Sequence, residues 1–358
     1  MNKQSHRLIL SSLMIGAALI GTAPVPSLAQ SSEDLAAHFS KKPVTIIVPT
    51  SPGGGYDTFA RMVARFVGTY LPGHAKILVQ NIPGGGQLRG LRTTMRSRPD
   101  GMTIGLLHPR FVQRELVGVD VPDFDLKTVR VLGTPSAVRR PRIWCVRRSI
   151  ASTWDEIVKL GRPLTSGGDQ PGASFGLGPQ FIEALGGPIK MVYGYSGTSE
   201  IMAGFDRGET EGVDRCVEEN VPRLFPGWIK NKFAAPIFWW EKEPSVDWLG
   251  RLGTSGKIPN IHEVIKPNED QKNAFEVANH FLVFSRIFVT PPGVADNIYE
   301  AWRKAFEQTT SDPGFLKAAD AAGLDVGLGT ADDFKNSLSK FDKLTPGGRK
   351  LFKQLVGQ

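Results

Sequence analysis

The sequence predicts an α/β fold with parallel strands, and three stretches carry the prediction. Val44-Thr45-Ile46-Ile47-Val48 is an unbroken β-branched and aliphatic run, the pattern of a strand buried on both faces. Pro49 and Pro52 end it, glycines 53–55 follow, and Phe59, Met62, Val63, Phe66 and Val67 then recur at helical spacing. Residues 76–81 repeat the design: a strand, the loop Ile82-Pro83-Gly84-Gly85-Gly86-Gln87, and a helix marked by Leu88, Leu91, Thr94 and Met95. Thr103-Ile104-Gly105-Leu106-Leu107 adds a third strand. Strands alternating with helices imply parallel pairing and right-handed crossovers.

Each glycine loop opens a helix, so unpaired main-chain N–H groups gather where no side chain covers them. Such a place attracts an anion. Two of them at one end of a parallel sheet face a common crevice, the usual ligand position in open α/β sheets.

The 358 residues are 41% hydrophobic and 22% charged, ordinary for a globular chain, and the length suggests two domains. The formal charge of +8 favours anionic partners. Nucleic acid is not expected: there is no long basic run, no basic helix with interleaved aromatics and no zinc-finger spacing. Arg139-Arg140-Pro141-Arg142 and Arg147-Arg148 read as solvated surface clusters. At the N-terminus Lys3 and Arg7 precede an apolar run over residues 8–20, and Ser27-Leu28-Ala29 offers small residues for cleavage. This is the pattern of a secretory signal peptide, residues 1–29, because the run is too short to span a bilayer. No later segment is long and apolar enough to do so. Cys145 and Cys216 are the two cysteines. In an exported chain they either oxidise to a disulfide or stay as buried thiols, and the Cα separation decides.

Farther along, Val131-Leu132-Gly133 and Arg142-Ile143-Trp144-Cys145-Val146 read as strands. A helix starts near Trp154, with Thr153 as N-cap and Glu156 three residues on. Strands follow at residues 163–166 and 190–195, each leading through a turn to a helix. Residues 234–240 form an apolar strand, and 287–290 another that leads into two helices. Thr330 caps a last helix with Asp332 and Asp333 in its first turn.

Three motifs carry a family resemblance. Pro52-Gly53-Gly54-Gly55-Tyr56-Asp57-Thr58-Phe59-Ala60-Arg61 fits Pro-Gly-Gly-x-x-Asp-x-x-Ala-Arg. Asn81-Ile82-Pro83-Gly84-Gly85-Gly86 fits Asn-x-Pro-Gly-x-Gly, and Pro99-Asp100-Gly101-Met102-Thr103-Ile104-Gly105 fits Pro-Asp-Gly-x-x-x-Gly. In order and spacing the chain resembles the extracytoplasmic solute receptors of tripartite tricarboxylate transporters, the TctC/Bug family, over most of its mature length. The resemblance implies a two-lobed periplasmic binding protein fold (type II-like) with the ligand in the interlobe cleft. The lobes would span residues 30–139 and 140–283, with a return to the first lobe and C-terminal helices over 284–358. It implies a monomeric periplasmic receptor for a small organic carboxylate, delivering it to membrane permease subunits, with no cofactor and no metal.

The expected ligand contacts are Ser51, Gly53, Gly54, Gly55, Tyr56 and Asp57 in the first loop, and Gly84, Gly85, Gly86, Gln87 and Arg89 in the second. Ser174, Tyr195 and Thr198 would close from the other lobe. Asp57 would repel an anion, so its expected role is to cap the helix, hold the loop and pair with Arg61. Tyr56 stands where the family often has Thr, Gln87 where it has Gly, Arg89 where it has an apolar residue, and Ala173 where it has a hydroxyl that Ser174 would replace. These departures leave the identity of the acid open.

An enzyme is not expected. Gly172-Ala173-Ser174-Phe175-Gly176 has the Gly-x-Ser-x-Gly form, but Gly167-Gly168-Asp169-Gln170-Pro171 separates it from the preceding strand, unlike a nucleophile elbow. His262 and His280 are the candidates to serve Ser174, and the histidines show no metal-ligand spacing. The glycines lack both the phosphate-loop pattern and the dinucleotide Gly-x-Gly-x-x-Gly. The competing classes are a secreted enzyme acting on a small organic acid and a sensor lobe for a membrane signalling partner.

Overall fold

The computed structural model describes residues 32–171 and 176–357. The leader with its cleavage position, and Ser174, lie outside them. Among the described residues the strands are β1 (Val44–Val48), β2 (Ile77–Asn81), β3 (Thr103–Leu107), β4 (Arg130–Gly133), β5 (Pro141–Arg147), β6 (Leu164–Gly167), β7 (Ile189–Val192), β8 (Gly212–Val213), β9 (Ala234–Glu241) and β10 (Ile287–Thr290). They form two five-stranded sheets, ordered β2-β1-β3-β10-β4 and β7-β6-β8-β5-β9. Each sheet anchors one lobe of a mixed α/β molecule.

Hydrophobic patterning explains the first sheet. Val44, Ile46 and Val48 are fully buried, and Ile47 nearly so, as a central strand requires. β1 runs parallel to β2 and β3, and its register pairs Val44 with Ile77 and Val48 with Asn81. The two strands therefore end side by side, and both glycine loops leave from the same edge. The expectation of parallel pairing holds there and not throughout. β10 is antiparallel to β3 and β4, and β5 is antiparallel to β8 and β9. β5 and β10 belong to the segments that pass between sheets, so their direction is set by the crossing and not by a β-helix-β unit.

The helix Gly55–Tyr70 buries Phe59, Ala60, Met62, Val63 and Val67, and it packs against the helix Asp296–Ser311. Trp302 and Phe306 of that second helix are fully buried. At full burial such side chains contribute about 1.5–3 kcal/mol each. In the other lobe Trp144, Phe181, Phe238 and Phe275 build the core. The last helix, Pro346–Val356, packs on Glu269–His280 and adds Phe352, Leu355 and Val356 to that core. Thr153 accepts from the Glu156 N–H, and Thr330 forms a full capping box with Asp333.

Cys145 on β5 and Cys216 beyond β8 form a disulfide, with Cα atoms 6.1 Å apart. No helix among the described residues is long and apolar enough to cross a membrane.

Candidate functional site

The two glycine loops face the second lobe across a cleft that is closed. Ser51 N–H donates to Ser196 O at 3.2 Å, and Ser199 Oγ to Pro52 O at 3.0 Å. Arg223 Nη1 donates to Gly53 O at 2.6 Å. Gln87 Nε2 donates to Asp169 Oδ2 at 2.7 Å, and the Gln170 side-chain amide donates to Gly86 O. These bonds divide the cleft into two chambers.

The smaller chamber, about 220 Å3, is lined by Gly84, Gly85, Gly86, Gln87, Asp169 and the turn Gly194-Tyr195-Ser196. Gly84, Gly85 and Gly86 all have positive φ (121°, 55° and 57°), the conformation in which a residue without Cβ is least strained. A Cβ at Gly86 would also overlap the Gln170 side chain, so the bare loop is what permits this lobe-to-lobe contact. Tyr195 donates its hydroxyl to Glu209 at 3.1 Å. Asp169 is 4% exposed, and burial pushes its carboxyl up to about 6, against the pull of Arg110 and the Gln87 hydrogen bond.

The larger chamber, about 320 Å3, is reached by Gly55, Tyr56 and Thr198 and is walled by charge. Arg286 donates Nη2 to Glu219 Oε1 at 2.6 Å and Nε to Gly55 O at 3.3 Å, with its guanidinium 4.2 Å from the Phe59 ring centre. Arg140 donates to Asp325 O at 2.6 Å and lies 3.8 Å from Glu219. Arg142 pairs with Glu241 at 2.9 Å, and Arg215 with Asp214 at 3.2 Å. Burial alone would raise the Glu219 carboxyl, but Arg286, Arg140, Arg142 and Arg223 outweigh it and hold it at about 2. For Arg286 burial wins over the single carboxylate beside it, and its guanidinium falls to about 9. Burial likewise raises Asp214, with Arg215 opposing.

Tyr56 is 3% exposed and stacks on His108, with ring centres 5.7 Å apart and planes at 13°. Burial raises its hydroxyl well above the ordinary value. Arg286, Arg142 and Arg215 oppose that rise and Asp169 adds to it, each by less than burial. His108 caps the helix Pro109–Leu116, its Nδ1 accepting from Arg110 N–H at 3.2 Å. Burial, with Arg110 next, holds it well below the usual histidine range.

The structure sorts the residues expected from sequence. Gly55, Tyr56 and Thr198 line the larger chamber; Gly84, Gly85, Gly86, Gln87 and Tyr195 line the smaller one. Ser51 bridges the lobes through its N–H. Gly53 spends its N–H on Asp57 Oδ2 at 2.9 Å, and Asp57 pairs with Arg61 at 3.0 Å. Gly54, not Asp57, is the N-cap, so Asp57 reaches back from the first turn to hold the loop. Gly54 packs toward Thr198: a Cβ there would sit 3.6 Å from it. Arg89 is exposed and lines neither chamber.

One expectation is corrected. Of Arg139-Arg140-Pro141-Arg142, only Arg139 is exposed; Arg140 is 6% exposed, and the Arg142 side chain 13%. Their partners Glu219, Glu241 and Asp325 come from far along the chain, so a local reading of the cluster could not see them. Arg110, Asp169, Asp214, Arg215, Glu219 and Arg286 were not singled out for the same reason. Glu219 and Arg286 are 67 residues apart, and neither lies in a motif. His262 and His280 line a different groove, with Asn273 and Lys340, and neither reaches the two chambers.

Two sheet-centred lobes closing on a cleft between them are the architecture of the periplasmic binding proteins, and that is the fold of this chain. The structure of periplasmic binding protein BugD superposes with a TM-score of 0.64 at 18% identity, over 89% of this chain and 99% of that one. MatC from Rhodopseudomonas palustris with bound malate gives 0.59 at 15% identity, over 86% and 99%. A curated protein of Agrobacterium vitis, the UPF0065 protein in the TAR-I ttuE-ttuC' intergenic region, is 34% identical over 92 residues. That match spans 26% of this chain and 25%, about a quarter, of the relative. No family model matches the chain.

Proposed function

We propose that the protein is an exported, monomeric receptor of the TctC/Bug type. It captures a small organic carboxylate between its lobes and presents the closed form to the permease subunits of a tripartite tricarboxylate-type transporter. The lobe limits 30–139, 140–283 and 284–358 belong to this reading, as does export by the leader at residues 1–29. The observation that carries it is the meeting of the first glycine loop with Ser196 and Ser199, and of the second with Asp169 and Gln170, across one cleft, through bonds that exist only when the lobes are together. A ligand touching both lobes gains contacts on closure, so it shifts the equilibrium toward the closed form by its differential affinity. The likeness to BugD and to malate-bound MatC supports a carboxylate as the cargo and a binding role in place of catalysis.

A thermal-shift series with malate, adipate, citrate and benzoate tests this. A selective rise in the unfolding temperature with no turnover is the expected result. Turnover of an acid, or no response to any of them, overturns the receptor reading.

A further inference from the structure

We infer that the larger chamber is the subsite for the acid group of the ligand, and that it selects a carboxylate carried on a flat apolar body. The inference rests on the receptor reading above and names where in the cleft, and for which class of acid, that receptor is built.

Charge balance comes first. The side chains of Arg140, Arg142, Arg215 and Arg286 are 7%, 13%, 4% and 9% exposed. Facing them are three comparably buried carboxylates, Glu219, Glu241 and Asp214, at 12%, 1% and 0%. The fourth carboxylate, Asp325, meets Arg140 at 3.7 Å from the rim, where its own side chain is 67% exposed. A buried guanidinium whose counter-charge sits at the solvent edge is only weakly compensated, and an anion in the chamber adds to that compensation. The other acids at the rim face cations of their own, Glu218 with Arg251 at 2.9 Å and Glu243 with Lys257 at 2.9 Å.

Donor geometry comes second. Arg286 uses Nη2 on Glu219 and Nε on Gly55 O, while its Nη1 is buried with no hydrogen-bond partner among the described residues. A buried donor left unmade is costly, and a guanidinium edge matches a carboxylate.

Shape comes third. Tyr56, Val217 and Trp248 supply ring and aliphatic wall around a space of about 320 Å3, within the size range of small-molecule sites. Both lobes contribute, with Gly55, Tyr56 and Arg286 on one side and Thr198, Arg215 and Trp248 on the other, so a ligand here is sensed by closure. Tyr56, stacked on His108, closes one side of this chamber.

The test is calorimetric titration of the full chain with benzoate, and separately with adipate, using two variants. Val217→Phe fills the chamber from a half-buried position without removing a charge, and Arg286→Lys keeps the charge but loses the fork. Benzoate should bind the unaltered protein, and each variant should weaken it by at least about tenfold, with Val217→Phe unfolding at the unaltered temperature. Benzoate binding that neither variant changes overturns the chamber assignment and leaves the receptor reading standing. Adipate binding without benzoate binding does the same. If neither acid binds, this inference fails, and the receptor reading fails with it only when malate and citrate do not bind either.

Discussion

Glu219 is the hinge of the buried charge network, and Glu219→Gln is the perturbation that measures it. The carboxylate sits between Arg286 at 2.6 Å and Arg140 at 3.8 Å. Its titration falls from an ordinary 4.5 to about 2 because those guanidiniums outweigh the cost of burial. At about 1.4 kcal/mol per pH unit, that difference corresponds to roughly 3 kcal/mol of folding stability at neutral pH. The side chain is 12% exposed, so solvent screening does not remove the effect. The sign follows from linkage. A carboxyl with a depressed folded value contributes fully above the unfolded value, and its contribution disappears as the pH falls from about 4.5 toward 2. Asp169 works in the opposite sense. Its carboxyl is raised to about 6 by burial, so the folded state gains relative stability as the pH falls from about 6 to 4. The difference between the unaltered protein and Glu219→Gln cancels the Asp169 contribution, which both carry. Urea unfolding at pH 7, 5, 4 and 3 should show a gap of roughly 3 kcal/mol at pH 7 and 5. The gap should narrow only modestly at pH 4, fall to roughly half by pH 3, and close below the folded value of about 2. A gap that does not change with pH, or one below about 1 kcal/mol at pH 7, refutes the claim that the arginines hold this carboxylate ionised in the interior.

Two further expectations concern the loops and the cross-link. Gly86→Ala places a methyl on the Gln170 side chain where the lobes meet, so the closed form should become less favourable relative to the open one. X-ray scattering without ligand should then report a larger radius of gyration, whereas Gly54→Ala, at φ −79° and 3.6 Å from Thr198, should leave it unchanged. Equal radii for the two variants would count against a loop that must be bare to permit closure. Replacing Cys145 and Cys216 by serine opens a cross-link spanning 71 residues and should cost about 2–4 kcal/mol, seen as a lower unfolding temperature that reducing agent no longer affects.

How the chain reads in advance depends on the range of the interactions. The β1 run from Val44 to Val48 and the helical spacing from Phe59 to Val67 are set by neighbours a few residues away, and the structure has both elements there. The caps at Thr153 and Thr330 are local in the same way. The tie between Asp57 and Arg61 was legible because residues four apart on a helix meet. The larger chamber was not legible. A reader of Arg140 and Arg142 sees a basic cluster beside a proline, and surface is the ordinary fate of such a cluster. Only the approach of Glu219 from beyond β8 and of Glu241 from β9 makes the interior tolerable for them.

The amino-acid order by itself determined β1 to β3, the helices that follow the two glycine loops, and the common edge of those loops, because hydrophobic period and backbone freedom act over a turn or a strand. The helix Pro346–Val356, beyond the one capped by Thr330, was not read from it. Tertiary structure alone decided which charges are buried and where the cleft is open. A buried arginine is tolerated where a carboxylate meets it, and here Arg286 meets Glu219 across 67 residues and Arg142 meets Glu241 across 99.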